Sequence, residues 1–271
     1  MAAHGAQLTA TLEPARPRVA PGRALAVVLT GICLLALWEL AARTRLPSYV
    51  ARPSGIIGAI PSTVSQMSFW SDLLATVGAI LEGVAIGAVA GIALGVVMGR
   101  VREVGWFFTP YIRGLYSMPL IALVPLATLW LGYSPTARLV IIIISAFLPI
   151  AVTTADGARS VSEDHLDVGR IFGARAHQVW LGIAIPSALP HIMAGLDIGL
   201  GRAVTNAVAV EVLASVEGVG YTLFAQSQSF HQDVSFVYVV ALAAFAVAAR
   251  ALIRAGSRKL APWYRPRQGA P

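Results

Sequence analysis

The residues able to do chemistry in this 271-residue chain cluster in two places, and long apolar runs fill the rest. Between Ser187 and Ala214 one such run holds Pro190, His191, Asp197, Arg202, Asn206 and Glu211. Ionisable groups at membrane depth are costly and are expected to face a bundle interior or water. Asp197, Arg202, Asn206 and Glu211 are therefore candidates to line a passage for a polar solute. The alternative is that the charges neutralise one another, Arg202 with Asp197 or across an interface between two copies. The second place is a polar island from Asp164 to Pro186, reading DHLDVGRIFGARAHQVWLGIAIP. Asp164 and Asp167 fall in the first turn of a short helix, where carboxylates suit the positive end of the dipole. Leu166, Ile171 and Phe172 give this helix an apolar edge, and Gly173 ends it. A tip of this shape fits a groove on another protein; a solvated loop joining two spans is the plainer reading.

Enzyme chemistry has little to build on. A phosphate-binding loop needs G-x-x-x-x-G-K-[ST], with its lysine on the phosphates. The sole lysine, Lys259, lies in SRKL with no such loop before it. ATP hydrolysis by that route is excluded, so any ATPase must be a separate polypeptide. The five histidines, at 4, 165, 177, 191 and 231, are scattered without ligand spacing. A single cysteine, Cys33, allows neither a disulfide framework nor a cysteine metal site. No nucleophile and base pair stands out, and the chain is expected to hold no cofactor and to catalyse no reaction of its own.

The elements that must position these residues are membrane spans. Hydrophobic residues are 57% of the chain and charged ones 12%, against about 25% charged in soluble domains; mean hydropathy is +0.73. The composition predicts an all-α, polytopic membrane protein with six spans. Residues 1–23 read as a disordered tail. Ala24–Leu40 is just long enough to span and lacks a small-residue cleavage site. The proline-bearing stretch 41–72 reads as a loop with a short interfacial helix, and Leu73–Gly99 is the second span. Its glycines at 83, 87, 91, 95 and 99 form one small-residue stripe, for static close packing or for sliding between moving spans. The third span, 106–131, contains Pro110, Pro119 and Pro125, which kink or break a helix where a cavity or protein takes up the freed carbonyls. The fourth runs over 139–155, the fifth over 187–214 and the sixth over 234–249, with 215–233 as a loop. The membrane-spanning region is thus 24–256, followed by a basic tail at 257–271.

The net charge of +7 is almost all arginine, and its placement is topological rather than a sign of nucleic-acid binding. Arg16, Arg18, Arg23, Arg100, Arg102, Arg159, Arg170, Arg175 and a C-terminal cluster beginning at Arg250 fall on one side. Arg43, Arg45, Arg52 and Arg138 fall on the other. The positive-inside rule puts the first set, both termini and the polar island in the cytoplasm, with the chain in a plasma or inner membrane. No internal repeat is evident, which weighs against duplicated-half secondary transporters.

Three motifs carry a family resemblance over residues 25–260. The polar island spaces Asp167-Val168-Gly169, three residues, Gly173, nine residues and Ile183-x-Ile185-Pro186, which resembles the loop E-A-A-x3-G-x9-I-x-L-P of ABC importer membrane subunits. The stretch SMPLIALVPLATLWLG (117–132) resembles P-x-x-A-L-I-P-L-x-x-L-W-F-G of the nitrate, sulfonate and taurine permeases. Residues 194–223 resemble A-G-L-R-x-A-L-G-R-A-W…V-A-E…G-x-G-Y-L, matching at Arg202, Glu211, Gly218, Gly220 and Tyr221. Asp197 departs where arginine is common, and Val204 where tryptophan is, which leaves the solute open. The resemblance implies the type I importer permease fold with a cytoplasmic coupling helix at 164–177. Asp164, Asp167, Gly169, Ile171, Phe172, Gly173 and Ala174 would then couple to the ATPase. Asp197, Arg202, Asn206, Glu211, Pro119 and Pro125 would line the pathway. It also implies two ATPase subunits holding ATP and Mg, a second permease subunit, and an extracytoplasmic binding protein that delivers a small organic anion. A proton-coupled secondary transporter and a non-transporting membrane scaffold are the rival readings.

Overall fold

The computed structural model describes residues 21–45, 47, 49–160 and 185–261, with the single positions 171, 173, 178 and 182 between them. Every regular element among these is helical. The chain divides into two compact units, Met1–Ser54 and Gly55–Pro271.

The first unit is built on α1 (Pro21–Thr44). Its apolar side chains are turned outward, Val27 being 72% and Leu34 62% exposed, as suits a lipid-facing span. Near its end Glu39 accepts from the side chain of Arg43 and from the Ser54 backbone N–H and hydroxyl. That carboxylate satisfies one of the orphan donors at the start of the next helix.

Helix α2 (Pro53–Val64), which begins at the last two residues of the first unit, is the short helix expected in the 41–72 stretch. It leads to α3 (Met67–Arg100), one continuous helix of 34 residues. Next comes α4 (Arg102–Ser117), then a 3₁₀ turn (Leu120–Leu123) and α5 (Val124–Leu131). The expected third span is thus two pieces, bent by 90°. Pro119 is the cause: it lacks an N–H, and its ring forces the preceding residue out of the helical region. Met118 accordingly sits at φ −79°, ψ 140°.

The centre of the second unit is α6 (Pro135–Arg159), opened by a Ser134 cap and a proline in its first turn. Ile142, Ala146, Leu148, Ile150 and Ala151 on it are at most 1% exposed. The glycine stripe of α3 is its mate. A Cβ built on Gly87 would lie 2.8 Å from the Ile143 carbonyl oxygen, and one on Gly91 2.9 Å from that of Phe147. One on Gly95 would lie 2.7 Å from that of Ala151. Opposite the stripe, Ile142, Ala146, Ile150, Thr154 and Ala158 repeat at the same four-residue step. Two ridges of equal pitch therefore run side by side in the same direction, and the backbones touch because one ridge has no side chains.

Valine at Gly91 should lower the thermal midpoint of the detergent-purified protein, since overpacking costs about 1–3 kcal/mol. Alanine at Gly78, whose Cβ would meet nothing within 4 Å, is the control and should leave the midpoint in place. Equal melting of the two variants would refute the stripe as the packed seam.

On the other side of α6 lies α7 (Ile185–Leu213), antiparallel to it: Gly195 meets Thr153 and Ile150, and Gly199 meets the Ala146 carbonyl. The last two helices are α8 (Val219–Gln228) and α9 (Gln232–Leu260). The 215–233 stretch expected as a loop therefore contains a ten-residue helix. The sixth helix also runs past its expected end, through Arg250 and Arg254, because alternating Ala, Leu and Arg continue the helical pattern.

Four described helices are long and apolar enough to cross a membrane, and the bent pair α4–α5 makes a fifth. Helix α7 has the length, at 29 residues, but its polar residues keep it out of that set. Among the described residues, four or five of the expected six spans thus meet that length and apolarity.

Candidate translocation site

The break in the third span leaves backbone groups without helical partners, and one of them organises a cavity. With the helix interrupted at Pro119, the Tyr116 carbonyl loses its place in the hydrogen-bond ladder. Arg202 of α7 donates to it from Nη1 at 3.2 Å. The same guanidinium lies over the Tyr116 ring, 4.1 Å from its centroid. A cation on an aromatic face and a carbonyl is held by charge and dipole together.

Around this contact opens a cavity of about 740 Å³ between the α4 break, α7 and α9. Four of the six residues expected along the pathway line it: Pro119, Asp197, Arg202 and Asn206. Arg202 does not pair with Asp197. Asp197 Oδ1 instead faces Arg250 Nε of α9 at 3.6 Å, both side chains being over a third exposed. Asn206 donates to the Arg202 carbonyl one turn back in its own helix. Two guanidiniums and one carboxylate thus face the cavity, a net positive charge suited to an anion. Arg250, expected in a C-terminal charge cluster, is a wall of this cavity.

Two of the six lie elsewhere. Pro125 sits in the first turn of α5, where a missing N–H costs nothing. Glu211 belongs to a second, closed site and does not line the cavity. Its side chain is fully buried and pairs with Arg138 at 2.8 Å. Its Oε1 also accepts from Thr76 Oγ1 at 2.7 Å, and its Oε2 from the Gly220 N–H at 2.8 Å. Thr76 in turn accepts from the Val219 N–H, and Arg138 donates to the Glu217 carbonyl. One carboxylate therefore ties α3, α6 and α7 to the turn that opens α8. Gly218 in that turn has φ +154° and ψ −173°, a region essentially closed to other residues. A Cβ there would lie 2.5 Å from Glu211 Oε1. The run E…G-x-G is thus a structural clamp.

On sequence alone Arg138 counts only among the arginines opposite the cytoplasmic set, and Thr76 and Tyr116 carry no role. An arginine opening an apolar run was the available signal for Arg138; Thr76 offered none. Of the coupling segment, Asp164, Asp167, Gly169, Phe172 and Ala174 lie outside the described residues. Ile171 is 81% exposed, and Gly173 has φ +76°.

Residues 83–265 match the family described as the binding-protein-dependent transport system inner membrane component. The chain is 27% identical over 238 residues to the taurine transport system permease protein of Escherichia coli strain K12, covering 85% of this chain and 86% of that protein. It is 30% identical to the formylaminopyrimidine transport permease protein of Halalkalibacterium halodurans, over 89% and 96% of the two chains. A putative aliphatic sulfonates transport permease protein of Bacillus subtilis is 25% identical over 93% and 94%. Among solved structures, the crystal structure of an amino acid ABC transporter with histidines superposes with a TM-score of 0.57. That match covers 79% of this chain and all of the other at 15% identity, and it bears on the fold alone.

Proposed function

The chain belongs to the family of binding-protein-dependent transport system inner membrane components, and from that premise we propose that it forms the solute pathway of an ATP-driven importer. The observation that carries the reading is the cavity at the broken third span, where Arg202 is held on Tyr116 and shares the wall with the Asp197–Arg250 pair. Irregular backbone at membrane depth is tolerated where it lines a cavity, and a net positive wall selects a small organic anion.

Hydrolysis is assigned to two separate ATPase subunits holding ATP and Mg, since this chain has no phosphate loop. A second permease subunit completes the pathway, and an extracytoplasmic binding protein delivers the solute. Both termini and the 164–177 segment face the cytoplasm in this reading, from the arginine distribution. Closure of the ATPase pair moves that segment, and the spans rock as rigid bodies about the packed α3–α6–α7 core. Alternating access follows, with the cavity opening to each side in turn.

Purification in mild detergent tests the class: a P-loop ATPase should accompany the chain. In vesicles, uptake should be ATP-driven and vanadate-sensitive. Arg202→Gln should lower it about tenfold or more, the usual loss for a charged hydrogen-bond partner, with assembly unchanged. Uptake by the chain alone, abolished by an uncoupler and indifferent to vanadate, would instead establish a proton-coupled secondary transporter.

A further inference from the structure

We propose that a second cavity, at the corner between α3 and α4, binds an anionic phospholipid. This cavity of about 920 Å³ is lined by Arg100, Arg102 and Arg159 together with Trp106, Phe107 and Tyr111. Three helix ends supply the charges: Arg100 closes α3, Arg102 opens α4 and Arg159 closes α6. The corner is tightly built. Arg159 Nη2 donates to Thr109 Oγ1 at 2.9 Å and to the Met98 carbonyl at 3.3 Å, and Gly105 lies against that same carbonyl. Glu103 is the one acidic residue in the same turn of α4, so the corner keeps a positive balance.

The two chemistries are layered along α4. Arg100 and Arg102 lie at its start and Arg159 reaches Thr109 in its second turn, whereas Trp106 and Tyr111 stand four and nine residues after Arg102, about 6 and 14 Å along the axis. These rings turn outward: Trp106 is 86% exposed, Phe107 58% and Tyr111 60%. Charge at the membrane boundary followed by an aromatic wall toward the bilayer matches one ligand profile, a phosphate head with acyl chains behind it. Basic pockets at helix ends hold anionic headgroups in this way, and Trp and Tyr favour the same interfacial level. A free phosphate would use the arginines and leave the rings unoccupied. The site rests on the arginine-based orientation, which puts it in the anionic leaflet, and is independent of the transported solute.

Native mass spectrometry of the full chain, purified with equal phosphatidylglycerol and phosphatidylcholine, reads the site directly. Phosphatidylglycerol should be retained in preference. Arg102→Gln should lower its retention about fivefold, from about 1 kcal/mol for each surface arginine, and Trp106→Ala should lower it further. Both side chains are exposed, so both variants should melt as the parent does. Lys259→Gln, in the C-terminal cluster and outside the lining of this cavity, should retain lipid unchanged. Excess inorganic phosphate should fail to displace the lipid. Equal retention of the two lipids, or parental retention by both corner variants, would overturn the proposal. Displacement by phosphate would reduce the corner to a plain anion site and overturn the lipid assignment.

Discussion

Alanine in place of Glu211 should cost about 3–5 kcal/mol, the usual penalty for removing one partner of a buried ion pair. Most of that loss comes from what remains. Arg138, 8% exposed at its side chain, would be left as a buried charge without its counter-ion. Thr76 Oγ1 and the Gly220 N–H would lose their acceptor at the same time. Against a total stability of about 5–15 kcal/mol, the variant should give little monodisperse protein after extraction. Adding Arg138→Met removes the stranded charge, so the double variant should recover part of the yield and melting temperature. Glu211→Gln keeps the shape and one acceptor and should fall between. The cycle separates pairing from packing: strictly additive losses for Glu211→Ala and Arg138→Met would mean that the two residues do not act as a pair.

Glu211 and Arg202 also mark where sequence reading reaches its limit. They stand nine residues apart on α7, about 14 Å along the axis, and both are charges within an apolar run. Nothing local separates them. What separates them is the partner each meets: Arg202 faces a carbonyl freed by a helix break, and Glu211 meets an arginine from the far end of α6. The burial of Arg138 is hidden for the same reason, because it depends on Glu211, 73 positions further along the chain. Period and composition did carry most of the helices, a kink or break somewhere among Pro110, Pro119 and Pro125, and the α3 glycine stripe, since those depend on neighbours in the chain. The helix at 219–228 escaped because GYTLFAQSQ has no apolar run to announce it. Arg250 escaped because its distance from the cavity is a property of α7 against α9, invisible to either helix alone.

The stripe resolves differently from the charges. Its four-residue glycine step said that another backbone approaches closely, without saying which one. The mate carries its own four-residue step, from Ile142 to Ala158. That step mixes isoleucine, alanine and threonine and so hides among ordinary apolar residues. Close packing along five successive turns makes α3 and α6 one rigid piece, which is what a rocking mechanism needs of its moving parts.

Valine at position 173 should abolish ATP-driven uptake while the bundle stays assembled. Gly173 has φ +76°, a conformation that glycine takes freely and a β-branched residue adopts only with strain of about 1–2 kcal/mol. A Cβ at 173 would meet nothing within 4 Å in this chain. The change therefore costs the spans little and falls on the shape of the segment proposed to seat in the ATPase. Gly182→Val is the matched control, because a Cβ there also meets nothing within 4 Å and no positive φ is involved. In reconstituted complexes Gly173→Val should leave ATP hydrolysis running with solute uptake at background, whereas Gly182→Val should keep both. Loss of the ATPase from the complex would assign the position to docking rather than to transmission. Full uptake by Gly173→Val would remove the coupling assignment altogether, and with it the placement of the ATPase contact at 164–177.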